Sequence, residues 1–289
     1  MQASIPRRVL DFGELVKFSH TVFLFPFALA AVILAHQVRP VTTAVMFWIV
    51  TALVSARSAA MVMNRIADRR FDALNPRTQG RPLVDGRVSP TWAWLYLLIA
   101  STVFFFASWR LGPLCLGLSP LALAWVLSYS YTKRFTDLCH LWLGVATALA
   151  PLGAWLAVAG AWDWRILVLV GAVALWVAGF DIIYACQDID FDISHRLHSL
   201  PAGLGLGRAL WASRILHAGS MLGFWLLKPL FGLGPAYVAG TGLMAVMLAW
   251  EQMLVAQKRA NIPMAFFTLN GVVSILFLGT LAWDRFWGS

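Results

Sequence analysis

The sequence contains nine stretches of about 20 apolar residues, each long enough to cross the hydrocarbon core of a membrane as a helix. Hydrophobic residues make up 60% of the 289-residue chain and charged residues only 12%, which is too few to cover a soluble core of this size. We therefore expect an all-α fold: a polytopic membrane helical bundle of about nine transmembrane helices, in a single domain over residues 1–289. The stretches lie approximately at residues 18–38, 41–63, 91–110, 112–130, 138–160, 164–187, 209–228, 233–257 and 264–285.

The basic residues that give the chain its net charge of +9 are unevenly distributed between the two ends of the predicted helices. If the N-terminus lies inside the cell, most of the 22 basic residues fall on the inner side. This is the positive-inside distribution, so the charge sets orientation and does not indicate nucleic-acid binding. We expect a multi-pass protein of the cytoplasmic (inner) membrane with a cytoplasmic N-terminus. The basic residues expected on the outer side are Arg39, Arg110, Arg165, Lys228 and Arg285.

Two predicted loops are long and charged, whereas the other connections are short. They cover residues 64–90, after the second predicted helix, and 188–208, after the sixth. Four predicted helices separate them, so both loops emerge on the same, cytoplasmic face. Long charged loops commonly carry function, and we expect these two to form a cytoplasmic cap over the bundle.

The first loop begins with polar residues at helical spacing. Asn64, Asp68 and Asp72 lie four residues apart and form one stripe if the second helix continues beyond the membrane surface. Arg57 lies seven residues before Asn64, on the same face but inside the apolar stretch. A lone charge at that depth is costly and normally has a partner or a role.

The second loop begins with a similar acidic series. Asp181, Tyr184, Asp188 and Asp192 are three, four and four residues apart, which predicts one helical face. Asp190 falls on the opposite face, and we expect it to be exposed to solvent.

Several carboxylates facing one another at a membrane surface repel strongly unless hard cations lie between them. Oxygen ligands at this density suit Mg²⁺, which prefers to share its coordination sphere with phosphate oxygens. Nearby Arg and Lys side chains suit further phosphate contacts. The pattern indicates an amphiphilic substrate, with a diphosphate head at the membrane surface and an apolar tail in the lipid bilayer.

The motif Asn64-x-x-x-Asp68-x-x-x-Asp72, followed by Asp188-x-x-x-Asp192, resembles the UbiA superfamily of intramembrane aromatic prenyltransferases. The similarity runs over roughly residues 15–210. Arg65 stands directly after Asn64, where hydroxybenzoate enzymes of the family commonly have Asp, and the form with NPRT resembles a branch that includes menaquinone-pathway members. The further matching segments are RSAAMVMN, NPRTQGRPL, YSYTKRFTDLCHLWLG, GFDIIYACQDIDFD and HSLPAGLG.

The resemblance implies Mg²⁺-dependent transfer of a polyprenyl group from polyprenyl diphosphate to an aromatic acceptor. The acceptor would be an aromatic hydroxy-carboxylate, 4-hydroxybenzoate or dihydroxynaphthoate, in ubiquinone or menaquinone biosynthesis. Lys133 resembles the family's diphosphate-contacting lysine in the pattern Tyr129-x-x-x-Lys133. The expected metal ligands are Asn64, Asp68, Asp72, Asp188 and Asp192.

The remaining roles follow from this chemistry and leave two alternatives open. The ring proton passes either to Asp181 or to the leaving diphosphate, and Arg57 either pairs with Asp68 or holds the acceptor carboxylate. The isolated His140 is expected to be a packing residue. The residues expected to be catalytic are Asp68, Asp188, Asp181 and Lys133, and those expected to bind substrate are Arg57, Asn64, Tyr129, Lys133 and Tyr184.

A cation-coupled transporter is the alternative function, because intramembrane acids also relay ions. The predicted acids cluster at one face of the membrane instead of at its midplane. A transporter should also have broken helices with polar residues at mid-depth, and the seventh and ninth predicted helices contain only Asn270 of this kind. The sequence predicts neither the prenyl chain length nor the oligomeric state.

Overall fold

A computed structural model gives the structure of the protein and describes residues 11–16, 25–257, 262 and 268–288. The chain divides into two compact units. Unit 1 consists of Met1–Thr21 and Met46–Tyr131, and unit 2 consists of Val22–Val45 and Thr132–Ser289. All regular secondary structure in the described residues is helical, which confirms the predicted all-α class.

Most of the described helices coincide with the predicted apolar stretches, but the second predicted helix continues to Leu74 and the seventh begins at Leu200. A short segment at residues 11–15 is also helical. In chain order, the helices of eight residues or more and one shorter helix, α7, are α1 (Phe25–His36), α2 (Thr43–Leu74), α3 (Pro90–Leu111), α4 (Pro113–Thr132), α5 (Cys139–Ala159), α6 (Trp164–Ala185), α7 (Ile189–Ser194), α8 (Leu200–Phe231), α9 (Pro235–Gln257) and α10 (Asn270–Trp287).

Six of the described helices are long and apolar enough to cross a membrane: α2, α3, α4, α5, α6 and α9. The other three predicted stretches coincide with α1, α8 and α10, of which α1 is a shorter apolar helix of 12 residues. The predicted number of nine crossings and the cytoplasmic cap remain predictions.

Helix α2 is the longest element of unit 1 and carries the first acidic motif. Its 32 residues correspond to about 48 Å, which exceeds the roughly 30 Å hydrocarbon thickness of a membrane. The loop after it folds back, because Leu83 and Val88 are buried in the same apolar cluster as Ala59 and Val62 of α2. Leu15 of the N-terminal segment lies in this cluster too.

Unit 2 is built around α6, which packs against α5 and α8. Close helix approach requires small residues here: a Cβ atom on Gly144 of α5 would lie 2.2 Å from the carbonyl oxygen of Ala174 in α6. Helices α9 and α10 are joined by a buried hydrogen bond of 2.8 Å from Asn270 Nδ2 to Glu251 Oε1.

The predicted continuous helical face from Asp181 to Asp192 is wrong. Helix α6 ends at Ala185, and α7 begins only at Ile189. Between them the backbone forms a tighter turn than an α-helix, because the Asp188 amide donates to the carbonyl of Ala185, three residues earlier, at 3.0 Å. The predicted loop 188–208 is also largely helical, since α8 begins at Leu200. The predicted exposure of Asp190 is confirmed.

Candidate active site

The first acidic motif lies on the C-terminal half of α2, as its spacing predicted. Asn64 Nδ2 donates to Asp68 Oδ2 over 2.8 Å, the contact expected of residues four apart on a helix. Arg65, which is only 4% exposed, donates from Nη1 to Asn64 Oδ1 at 3.1 Å. Asn64 and Asp68 thus present oxygen atoms side by side.

Asp72 is buried and held by the loop that follows α2. Arg81 Nη1 lies 2.6 and 2.5 Å from the two carboxylate oxygens of Asp72. Thr78 Oγ1 donates to the Asp72 carbonyl at 2.9 Å, and Arg69 Nε donates to the Leu83 carbonyl at 3.1 Å. These bonds fold the loop against the motif and offset the charge of a buried carboxylate. Sequence reasoning missed Arg81, whose only signal was its place in the basic segment NPRTQGRPL.

Arg57 occupies a membrane-spanning part of α2. Within the described residues its Nε atom is buried and has no hydrogen-bond partner. A guanidinium in such a place implies a polar or anionic group that approaches it.

Arg87 joins the loop to the N-terminal segment of unit 1. Its guanidinium lies 2.5 Å from Glu14, 2.7 Å from Asp85 and 3.1 Å from Asp11. The hydrogen bonds that Arg87 donates to Glu14 and then to Asp85 raise the pKa of Arg87 above its ordinary value. The site-bearing loop is therefore held at two points, by Arg81 near its middle and by Arg87 near its end.

In unit 2, Asp192 of α7 is the most enclosed carboxylate of the second motif, with only 2% of the residue exposed. Lys133 Nζ lies 3.1 Å from its Oδ2 atom, and Ser199 Oγ donates to the same atom at 2.9 Å. Burial lowers the pKa of Lys133, but the neighbouring groups Asp192, Cys139 and Asp181 together raise it by more, so the pKa of Lys133 is raised. Lys133 therefore stays positively charged beside this motif.

The three residues around the start of α8, His198 to Leu200, hold this arrangement together. The His198 amide donates to the Lys133 carbonyl at 2.6 Å, and the Leu200 amide donates to His140 Nε2 at 3.4 Å. Between them, Ser199 caps α8 by accepting from the Ala202 amide at 3.3 Å. Ser followed by Pro within the first helical turn is a common start of a helix.

His140 is fully buried, as expected of a packing residue, and it also pairs with Asp181, which the sequence did not predict. Its Nδ1 atom lies 2.7 Å from Asp181 Oδ2, and the Asp181 side chain is 13% exposed. Sequence reasoning missed this pair and also missed Ser199, because the partners are separated by 41 residues in one case and seven in the other.

The other predicted residues are placed as follows. Asp188 lies at the N-cap position of α7 and accepts the Asp192 amide through its carbonyl at 2.7 Å. Tyr129 in α4 and Tyr184 in α6 are both partly buried. His195 stacks on Phe191 with ring centroids 4.0 Å apart.

Within neither unit do the described residues bring three His, Cys, Asp or Glu side chains together as a ready metal site. The donor set nevertheless suits a hard cation. Asn64 Nδ2 binds Asp68 Oδ2, which keeps the two side chains together, and their amide and carboxylate oxygens are of the kind that Mg²⁺ prefers as ligands.

In the described part of the chain, six helices are long and apolar enough to cross a membrane, and acidic motifs lie at helix ends, which is typical of a polytopic membrane protein. The chain belongs to the UbiA prenyltransferase family, whose model matches residues 23–280 and so runs through both units. It is a prenyltransferase.

Curated relatives and solved structures agree with this family. The 4-hydroxybenzoate octaprenyltransferase of Methylobacillus flagellatus is 32% identical over 243 residues, covering 84% of this chain and 82% of the relative. The enzyme of the same name from Xanthomonas oryzae pv. oryzae is 32% identical over 281 residues, with coverage of 95% and 92%.

The apo structure of a UbiA homologue from Aeropyrum pernix K1 has a TM-score of 0.84 and 38% identity, covering 92% of this chain and 98% of that one. A UbiA homologue from Archaeoglobus fulgidus, bound to DMAPP and Mg²⁺, has a TM-score of 0.76 and 20% identity, with coverage of 94% and 98%. The second likeness shows the shared fold.

Proposed function

We propose that this prenyltransferase moves a polyprenyl group from polyprenyl diphosphate to an aromatic hydroxy-carboxylate, with 4-hydroxybenzoate as the acceptor and Mg²⁺ as the cofactor. The acceptor follows the names of the curated relatives, and the donor follows the archaeal homologue bound to DMAPP and Mg²⁺. The observation that carries the proposal is the pairing of Lys133 with buried Asp192 inside the second acidic motif. We place the reaction in ubiquinone biosynthesis, with dihydroxynaphthoate and menaquinone as the variant to test.

Asn64, Asp68, Asp72, Asp188 and Asp192 would hold Mg²⁺, which on binding offsets the charge that develops on the leaving diphosphate. Asp72 pairs with the basic Arg81, and Asp192 pairs with the basic Lys133. These partners place positive groups beside the carboxylates, where diphosphate oxygens would lie.

The remaining roles are substrate binding, stabilisation of the allylic cation and proton transfer, and residues of the chain supply them. Lys133 donates to the diphosphate, and the buried Arg57 holds the carboxylate of the acceptor. Tyr129 and Tyr184 stabilise the allylic cation through their ring faces. The apolar helices exclude water from that cation. Asp181 or the released diphosphate takes the ring proton.

We further propose that the chain works as one domain with nine membrane crossings in the cytoplasmic (inner) membrane. The positive-inside distribution supports a cytoplasmic N-terminus and cytoplasmic acidic motifs. The three helices α1, α8 and α10 supply the crossings beyond the six described above.

The test is mass spectrometry of products from purified protein in detergent, given one polyprenyl diphosphate with 4-hydroxybenzoate or dihydroxynaphthoate. We expect a prenylated hydroxybenzoate with Mg²⁺ and no product with a chelator. Prenylated dihydroxynaphthoate as the sole product would refute 4-hydroxybenzoate as the acceptor and would assign the protein to the menaquinone pathway. Product from neither acceptor, under conditions where a relative is active, would refute the proposed function.

A further inference from the structure

His140 and Asp181 form a buried pair on α5 and α6, two packed helices of unit 2. The ring of His140 contacts a polar atom through each nitrogen: Asp181 Oδ2 lies 2.7 Å from Nδ1, and the Leu200 amide nitrogen lies 3.4 Å from Nε2. No part of His140 is exposed. Both polar ends of a fully buried side chain are therefore satisfied, as burial requires.

The partners of His140 determine where its proton lies. A backbone amide is only a donor, so Nε2 must supply the lone pair that accepts the Leu200 N–H. The single ring proton of a neutral imidazole is then on Nδ1 and is donated to Asp181. A neutral donor of this kind orients a carboxylate through one oxygen and adds no opposite charge beside it.

The same contacts tie Asp181 to the second acidic motif. Leu200 follows Ser199, whose hydroxyl binds Asp192 at 2.9 Å. His140 therefore connects Asp181 to the backbone segment that also holds Asp192 and, through it, Lys133. The Asp181 side chain keeps 13% of its surface exposed, so it is positioned yet remains accessible.

We infer that His140 is a positioning residue that holds Asp181 as the acceptor of the ring proton in prenyl transfer. This inference rests on the proposed function. In that reaction the diphosphate leaves with the electron pair of the C–O bond, and a ring π pair forms the new C–C bond. The proton on the attacked ring carbon passes to the free oxygen of Asp181, while the C–H pair restores the aromatic ring. His140 Nδ1–H stays bonded to Oδ2 throughout.

Two amide substitutions separate the two contacts of His140. In His140→Asn, the amide nitrogen falls close to the position of Nδ1 and still donates to Asp181. In His140→Gln, the longer side chain places its amide near Nε2, where it reaches the Leu200 N–H but not Asp181. Each variant thus keeps one contact and loses the other.

We expect His140→Gln to lower kcat by about 10- to 100-fold, since a general base contributes roughly 10²- to 10⁴-fold and is misplaced here without being removed. The KM for polyprenyl diphosphate should change by less than about threefold, because the diphosphate contacts lie elsewhere. His140→Asn should recover most of the lost kcat. His36→Gln is the control, because His36 also accepts a backbone N–H, from Val41 at 3.2 Å, but contacts no carboxylate among the residues that the structure describes.

Asp181→Asn provides a double-mutant cycle with His140→Gln. If the two residues act as one unit, the double variant is no slower than Asp181→Asn alone. Two quantities are measured for every variant. Calorimetry gives the affinity for an unreactive prenyl thiodiphosphate with Mg²⁺, and thermal unfolding gives the melting temperature. Both should stay close to the wild-type values in His140→Gln, which distinguishes positioning from a structural role.

The inference is overturned if His140→Gln turns over like the wild type, if the Asn variant is as slow as the Gln variant, or if the two defects multiply. Unfolding of the Gln variant while the Asn variant stays folded would also overturn it, because the pair would then be structural. Absence of product from wild-type protein with either acceptor would instead refute the proposed function, and this inference with it.

Discussion

Ser199 is expected to stabilise unit 2 through two separate hydrogen bonds, and the chain offers a control that separates them. Ser199 caps α8 at 3.3 Å from the Ala202 amide, and Ser89 caps α3 at 3.3 Å from the Trp92 amide. Only Ser199 also donates to a carboxylate, that of buried Asp192. Ser89→Ala therefore removes a cap alone, whereas Ser199→Ala removes a cap and a charged hydrogen bond.

The cap is worth about 1 kcal/mol of unfolding free energy. A hydrogen bond to a charged group adds about 1.5–3 kcal/mol. Ser199→Ala should thus cost about 2.5–4 kcal/mol, and Ser89→Ala about 1 kcal/mol. At about 2–4 °C per kcal/mol, the melting temperature in detergent should fall by about 5–15 °C and about 2–4 °C, respectively. Equal losses in the two variants would show that the Ser199–Asp192 contact contributes nothing and would refute this reasoning.

Two further predictions concern the basic partners of the buried carboxylates. Arg81→Met should lower the free energy of unfolding by about 2–4 kcal/mol, somewhat less than for a fully buried pair because Arg81 is partly exposed. Adding Asp72→Asn to the same chain should restore most of the lost melting temperature. No restoration would contradict the pairing. The pKa of Lys133 is raised above its ordinary value of 10.5, so its stabilising contribution is fully present below that pH and is lost as the pH rises through the higher folded value. The difference in melting temperature between wild type and Lys133→Met should therefore be constant from about pH 7 to about pH 9 and shrink only at higher pH; a decline already within that range would contradict it.

The sequence predicts those parts of the site that depend on helical periodicity. Asn64 and Asp68 meet because they are four residues apart on a helix that continues beyond the membrane surface, and polar residues at that spacing indicate the continuation. The exposure of Asp190 follows from the same periodicity. The apolar stretches likewise predict an all-helical membrane protein, since their length alone requires it.

The parts that depend on tertiary packing could not be predicted. The turn between α6 and α7 contains neither Gly nor Pro, so no local sequence signal near Cys186 predicts it. His140 and Asp181 lie on different helices, and only the packing of α5 against α6 brings them together. Arg81 is one of several basic residues in its loop, and no periodicity distinguishes it from Arg77 or Arg87.

The central claim is that both acidic motifs bind one Mg²⁺-diphosphate group. Calorimetry of an unreactive prenyl thiodiphosphate with Mg²⁺, on wild type, Asp68→Asn, Asp188→Asn and the double variant, tests it most directly. The account predicts that each single variant loses at least about tenfold in affinity, or about 1.4 kcal/mol, and that the double variant loses less than the sum of both because the motifs share one ligand. Wild-type affinity in either single variant, or strictly additive losses, would contradict it.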